Sequence, residues 1–166
     1  MPITLDGTNG VTTNSGTLIS ATTIGVGGAT PSTSGAGITF PATQSASTDA
    51  NTLDDYEEGT FTPTIGNFTL TSGTLGFAAR YTKIGRQVTI NVLQNGAGNV
   101  NWSAGSYLTG LPFAPIASEG GTVGVYSNSG PSLVGVVLPW TDNNIYFNPG
   151  QTGQSRLIFS ATYFTS

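Results

Sequence analysis

The chain has 166 residues, a formal net charge of −4, and neither Cys nor His. Without cysteine there is no disulfide framework, thiolate zinc site or Cys nucleophile. Without histidine, the usual general base near neutral pH and the commonest transition-metal ligand are both missing. The four Lys and Arg residues are too few for the clustered positive charge that phosphate binding requires. We therefore expect no enzyme activity, no cofactor, no metal and no nucleic-acid partner.

The composition predicts an all-β protein. Charged residues make up 7% of the chain, against about 25% in soluble globular domains. The chain is rich in Thr, Val, Ile, Phe and Tyr, which suit a pleated strand. No stretch reaches the roughly 18 apolar residues of a membrane span, and the first residues lack the basic start and apolar core of a signal peptide. We expect synthesis in the cytoplasm and no membrane insertion.

The sequence pattern of residues 1–53 predicts a fibrous, β-rich stalk that has no core of its own. Its short β-prone pieces are separated by turns that contain Gly or Asn: Ile3–Leu5, Gly10–Thr13, Thr17–Ser20 and Thr23–Val26. None of these pieces carries enough apolar surface to offset the entropy that is lost on ordering. Either neighbouring copies in a closed oligomer stabilise the segment, or it remains a flexible tail.

Residues 60–166 predict an antiparallel β-sandwich or jelly-roll-like head. Apolar alternation and breaks every ten residues or so indicate these strands: 60–65, 75–84, 87–94, 106–109, 121–127, 133–138, 144–148 and 156–164. The clearest pair is a hairpin in which Phe77–Ile84 and Gln87–Val92 flank Gly85 and Arg86. We expect the last of these strands, 156–164, to be buried and to close the fold.

An acidic linker is predicted at residues 54–59, between stalk and head. It holds half of the eight acidic residues: Asp54, Asp55, Glu57 and Glu58. We expect these side chains to form a solvated collar, or to pair with basic residues of a neighbouring element: Arg80, Lys83 and Arg86.

Two chemical interpretations of the acidic residues are weaker. A glycosidase needs two carboxylates across a groove, but adjacent residues such as Asp54 and Asp55 point to opposite faces of a strand. A Ca²⁺ site could use the oxygens of Asp49, Asn51, Asp54 and Asp55, but their spacing matches no complete calcium loop.

Aromatic residues beside Asn- and Ser-rich loops predict a site for sugars. Sugar rings stack on aromatic faces, while Asn and Asp side chains form hydrogen bonds with hydroxyls. The candidate ligand-binding residues are Trp140, Asp142, Asn143, Asn144, Trp102 and Tyr107. Trp140 is the leading candidate because Pro139 and the polar run 142–144 indicate a loop tip. The alternative is that these rings, with Tyr126, Tyr146 and Phe147, fill the core or a subunit interface.

Three segments carry a resemblance to a known group of proteins. Residues Gly37–Gln44 and Ser47–Pro63 resemble a segment that recurs in tail-fibre and other virion appendage proteins of bacteriophages, between a thin fibrous part and a compact β-domain. Tyr81–Val88 resembles the piece that commonly follows it.

The resemblance implies a virion protein made in the host cytoplasm and assembled as a homotrimer. Residues 1–53 would dock onto other virion proteins, and the head would attach to host-surface polysaccharide or serve as a fibre adaptor. A capsid head-fibre or decoration protein with a purely structural role is the alternative. A depolymerase is disfavoured by the missing His and the small head.

Overall fold

The computed structural model describes residues 23–43, 47–49, 51–116, 123–127, 132–140, 142–148, 150–154 and 157–166, with the backbone alone over 123–127, 132–140, 151 and 153–154. The described residues contain strands and no helix, so the all-β prediction is confirmed. The chain divides into two compact units, Met1–Ser45 and Ala46–Ser166.

The first unit contains one small parallel sheet in its described part. Strand β1 (Thr23–Gly25) pairs with β2 (Gly37–Thr39), and the chain between them turns through Gly27 and Gly28, both at positive φ. The strand predicted at 23–26 is thus confirmed, whereas the three pieces predicted before it lie outside the described residues. Ile38 remains 57% exposed, so this sheet buries little apolar surface.

The described residues of the second unit form a ten-stranded antiparallel sheet. Its strands are β3 (Tyr56–Phe61), β4 (Thr64–Ser72), β5 (Phe77–Ile84), β6 (Gln87–Gln94), β7 (Asn99–Thr109), β8 (Val123–Ser127), β9 (Ser132–Trp140), β10 (Asn144–Asn148), β11 (Gln151–Gln154) and β12 (Leu157–Phe164). The path across the sheet runs β4-β7-β10-β9-β8-β12-β6-β5-β3. Strand β7 has three partners. One of its edges pairs with β4, and the other edge pairs with β10 along one part and with β11 along another.

The two outermost strands of this path, β4 and β3, are consecutive in the chain. Only Thr62 and Pro63 separate them. Such a link spans at most about 11 Å. The sheet must therefore curve until its two ends approach each other, which encloses one face.

The enclosed face forms a hydrophobic core. Strand β6 alternates between buried and more exposed residues along its length, and Val88, Ile90 and Val92 point inward. At one end of the core, the ring of Phe147 packs against Phe68, Trp102 and Phe159 with centroids 5.1 to 5.8 Å apart. Burial of each large apolar side chain contributes about 1.5–3 kcal/mol, so this core holds the sheet together.

Several strand predictions are confirmed. Strands β6 and β10 have the predicted bounds, and the β5–β6 hairpin closes at the pair Ile84 and Gln87 around Gly85, whose φ is 55°. The single strand predicted at 60–65 is instead split between β3 and β4. Pro63 lies in the break, since proline has no N–H to donate to a ladder.

The predicted acidic linker, residues 54–59, contributes a strand of the sheet. Strand β3 pairs with β5 over its whole length. The second unit already begins at Ala46, and its first turns are closed by hydrogen bonds from Ser47 N to Asp54 Oδ2 (2.7 Å) and from Thr52 N to Asp49 O (3.1 Å). These residues therefore belong to the compact unit that was predicted to start at 60.

Candidate functional site

The outer face of strands β7 and β10 presents a pair of tyrosines. Tyr107 lies between the inward-facing Ser106 and Leu108 on β7, and Tyr146 lies between two inward-facing residues on β10, so both tyrosines point outward. The two residues are opposite each other in the ladder, and their ring centroids are 5.7 Å apart at an interplanar angle of 53°. The pair offers a rigid aromatic surface on a sheet.

Gly66 supports this tyrosine pair from the neighbouring strand. It is the register partner of Tyr107 on β4, and a Cβ at this position would overlap the tyrosine ring. The ring therefore lies directly over the glycine backbone. A side chain at position 66 would displace the Tyr107 ring, so this placement requires glycine.

The turn between β9 and β10 brings two predicted site residues to the tyrosine pair. The carboxylate of Asp142 accepts hydrogen bonds from the Tyr146 hydroxyl, from Asn144 Nδ2 at 3.0 Å and from Asn144 N at 3.3 Å. Asn144 Nδ2 also lies 3.3 Å from the Tyr146 hydroxyl oxygen. The hydrogen bond to Asp142 raises the pKa of Tyr146 above its usual value near 10.

Asn143 has a structural position in the same turn. Its φ is 66°, in the left-handed region that Asn tolerates better than most residues, and its Nδ2 donates to the Leu111 carbonyl at 3.4 Å. Its Oδ1 is buried without a partner in the described part of the chain. Trp140 ends β9 and pairs through its backbone with Asn144, while its side chain lies outside what the structure describes.

Trp102 lies apart from the tyrosine pair. It is 4% exposed, and its ring packs against Phe68 at 5.8 Å and Phe147 at 5.7 Å. Trp102 was predicted to offer a face on which a sugar could stack, but its ring is buried. It fills the core instead, which was the alternative interpretation of these aromatic residues. The structure thus groups Tyr107, Asp142 and Asn144 and leaves Trp102 out.

A groove of about 240 Å³ lies next to Trp102. Its lining consists of Asn67, Thr69, Asn101, Trp102, Ser103 and Thr152. Apart from Trp102, none of these residues was singled out from the sequence. The available signal was Gly66-Asn67 inside a strand pattern, because glycine there suggests a bulge.

The acidic residues have structural partners. Asp55 forms an ion pair with Lys83, which was one of the two alternatives predicted for the acidic residues, and Glu57 accepts a hydrogen bond from the Tyr81 hydroxyl. That bond raises the pKa of Tyr81 to about 12. Among the described residues there is no group of three or more potential ligands that could hold a metal ion.

Comparisons with protein-family models, curated proteins and solved structures gave no match. Within the part of the chain that the structure describes, we also find no helix of the length and hydropathy needed to cross a membrane.

Proposed function

We propose that this chain is a tail-fibre-type subunit of a bacteriophage virion that attaches to saccharides on the host surface or serves as a fibre adaptor. In this proposal it is a homotrimer, residues 1–45 form a stalk that docks onto other virion proteins, and the second unit, residues 46–166, is a sandwich-like head. The resemblance of residues 37–44, 47–63 and 81–88 to phage appendage proteins supports the assignment.

The observation that carries the attachment function is the outward cluster of Tyr107, Tyr146, Asp142 and Asn144. The tyrosine rings provide apolar faces for sugar rings, and the amide and carboxylate beside them provide acceptors and donors for hydroxyls. The cluster sits on paired strands and is held by internal hydrogen bonds, so little conformational entropy is lost on binding. Several weak sites in one trimer would add through avidity.

A purely structural head-fibre or decoration role is the second candidate, and one feature of the opposite end of the sheet favours it. Tyr56, Ile84 and Phe164 lie in one row across β3, β5, β6 and β12 and are 39%, 51% and 40% exposed. Exposed apolar side chains in a row suit a contact with another protein. A decoration protein would use this row against its shell and would not need the tyrosine cluster.

Binding of the purified full-length protein to isolated bacterial surface polysaccharides tests the proposal. Attachment predicts saturable binding that a Tyr107→Ala/Tyr146→Ala double variant loses, with its oligomeric state by light scattering unchanged. The matched control is Tyr56→Ala, which removes an exposed tyrosine that lies outside the cluster, in the row with Ile84 and Phe164. Absence of binding to every polysaccharide, with the protein located on the capsid by electron microscopy, would replace attachment by decoration.

A further inference from the structure

We propose that the groove over strands β4, β7 and β11 binds one uncharged sugar residue. This inference rests on the proposed attachment function and specifies a second subsite, distinct from the tyrosine cluster, together with the ligand class it accepts.

An interruption in strand pairing creates the groove. Gly66 pairs with Tyr107 and Phe68 pairs with Trp102, so Asn67 alone on β4 faces residues 103–106 on β7. Asn67 adopts a φ of 60°, which is uncommon for a residue other than glycine, and Gly105 on the other side has a φ of 85°. Bulges of this kind redirect side chains out of the ladder and are frequent beside functional sites.

A buried hydroxyl fixes the bulge in this shape. Ser106 is fully buried, and its Oγ donates to the Asn67 carbonyl at 2.6 Å while accepting a hydrogen bond from Ser103 N at 3.1 Å. One side chain thus connects the bulged residue of β4 with the start of the bulged segment of β7. The groove is therefore formed before any ligand arrives, which reduces the entropic cost of binding.

The lining carries no charge and offers polar and apolar surface in about equal parts. Asn67, Thr69 and Ser103 are exposed, and their side chains form no hydrogen bond with other described residues. Amide and hydroxyl groups both donate and accept, which matches the hydroxyls of a sugar. No Lys or Arg lines the groove to neutralise an anion. Recognition of a phosphate, sulfate or carboxylate is therefore not expected.

The size of the groove limits the ligand to one ring. Pockets for drug-sized ligands measure roughly 300–1,000 Å³, whereas this groove measures about 240 Å³. Asn101 and Tyr107 both point outward from β7, each between two buried neighbours, so the groove and the tyrosine pair share one face of the sheet. A saccharide chain seated in the groove can therefore continue toward Tyr107, where the Asp142 carboxylate disfavours anionic units.

Nuclear magnetic resonance titration of the ¹⁵N-labelled full-length protein tests the inference. The neutral probes are glucose, galactose, rhamnose and N-acetylglucosamine, and the anionic probes are glucuronic acid and N-acetylneuraminic acid. We expect at least one neutral sugar to shift the backbone amides of Asn67, Thr69 and Ser103 saturably, and the anionic sugars to leave them unchanged. No shift with any neutral sugar, or equal shifts with the anionic ones, would overturn the inference.

Two groove variants and one control sharpen the test. Asn67→Gly keeps the positive φ, removes the amide, and should weaken the responsive sugar about tenfold. Ser103→Trp fills the groove and should abolish the shifts. Asn91→Ala removes an exposed amide from the outer face of β6 and should bind like the unmodified chain. Unchanged affinity of both groove variants, with folded spectra, would refute the site.

The outcomes separate this inference from the proposed function. If the unmodified protein and Asn67→Gly bind host polysaccharide equally well, attachment stands and the groove is refuted. If no polysaccharide binds but a neutral sugar shifts the groove amides, and Asn67→Gly weakens this response while Ser103→Trp abolishes it, the groove stands and host attachment fails.

Discussion

The carboxylate of Asp55 accepts a hydrogen bond from Lys83 Nζ inside the protein, where the two residues are 5% and 2% exposed. The Asp55 carbonyl also accepts a bond from Gly85 N at 2.9 Å, and Lys83 Nζ lies 5.3 Å from the centroid of the Phe113 ring. These contacts attach the start of the outermost strand β3 to the β5–β6 hairpin. The buried ion pair thus holds strand β3, which lies in the segment that was predicted to be a linker.

Replacing Asp55 alone should be strongly destabilising. Asp55→Ala leaves the Lys83 ammonium buried without its partner, which costs about 3–5 kcal/mol for a buried pair. Urea unfolding measures this loss. Glu58→Gln, at an exposed position on the same strand, is the matched control and should change the free energy of unfolding by no more than about 1 kcal/mol. A loss for Asp55→Ala as small as that of the control would contradict a tight ion pair.

Removing both charges should restore much of that stability. Asp55→Leu/Lys83→Met replaces the pair by apolar side chains, and such replacements are often neutral or stabilising. We expect the double variant to unfold at a higher urea concentration than Asp55→Ala. If it were less stable than Asp55→Ala, the ion pair itself would be required to hold β3.

The stability of the protein should fall as the pH rises from about 10 to 12. In the unfolded chain a tyrosine ionises near pH 10, whereas the hydrogen bond to Glu57 raises the pKa of Tyr81 to about 12. Between these values the unfolded state has already lost the proton that the folded state keeps, so deprotonation favours unfolding. Burial raises the pKa of Tyr163 as well, which adds to the effect in the same direction.

Absorbance of the tyrosinate ion against pH, together with urea unfolding, checks this prediction. Glu57→Gln removes the charge that favours the protonated phenol, so one tyrosine should ionise at a lower pH than in the unmodified protein. Tyr81→Phe should reduce the loss of stability above pH 10. An identical titration curve for Glu57→Gln would show that the hydrogen bond does not control Tyr81.

The aromatic cluster at one end of the core should be sensitive to truncation. Phe147 is 1% exposed and contacts three other rings, so Phe147→Ala should cost about 3–5 kcal/mol. Phe164→Ala is the matched control, because that ring is 40% exposed. Urea unfolding of the two variants should differ by at least about 2 kcal/mol. Equal losses would mean that the cluster does not form as described.

The ring and the hydroxyl of Tyr146 should contribute separately to saccharide binding. Tyr146→Ala removes the stacking surface and should weaken binding about tenfold. Tyr146→Phe keeps the ring but loses the bond to Asp142, so it should weaken binding less. Surface plasmon resonance on immobilised polysaccharide measures both. A larger effect of Tyr146→Phe would indicate that hydrogen bonding, and not stacking, dominates.

The sequence predicted the parts of the fold that depend on local patterns. Strand β6 alternates regularly with β-branched residues inward, and Gly85 supplies the positive φ of the hairpin turn, so both are visible without tertiary information. Strand β7 was predicted only at 106–109. The part that was not predicted, residues 99–105, contains Asn and Gly, which have low strand propensity, and it is a strand because β4 and β11 pair with it.

Non-local contacts explain what the sequence could not show about the site and the linker. Asp55 and Lys83 are 28 residues apart, and the register of β7 against β10 alone brings Tyr107 to the turn at 142–144. Trp102 and Tyr107 lie on one strand, yet burial alternates along it, so one ring is in the core and the other is outside. Composition near loops cannot distinguish these two environments.

The place of β12 in the sheet has a consequence for folding during synthesis. Residues 157–164 lie between β6 and β8, and the ribosome makes them after every other strand of the sheet. At about 5–20 residues per second, β6 waits on the order of several seconds for this partner, with one edge and its row of Val and Ile side chains uncovered. We therefore expect the nascent chain to be prone to aggregation at this stage, and a chaperone that shields β6 to raise the yield of folded protein.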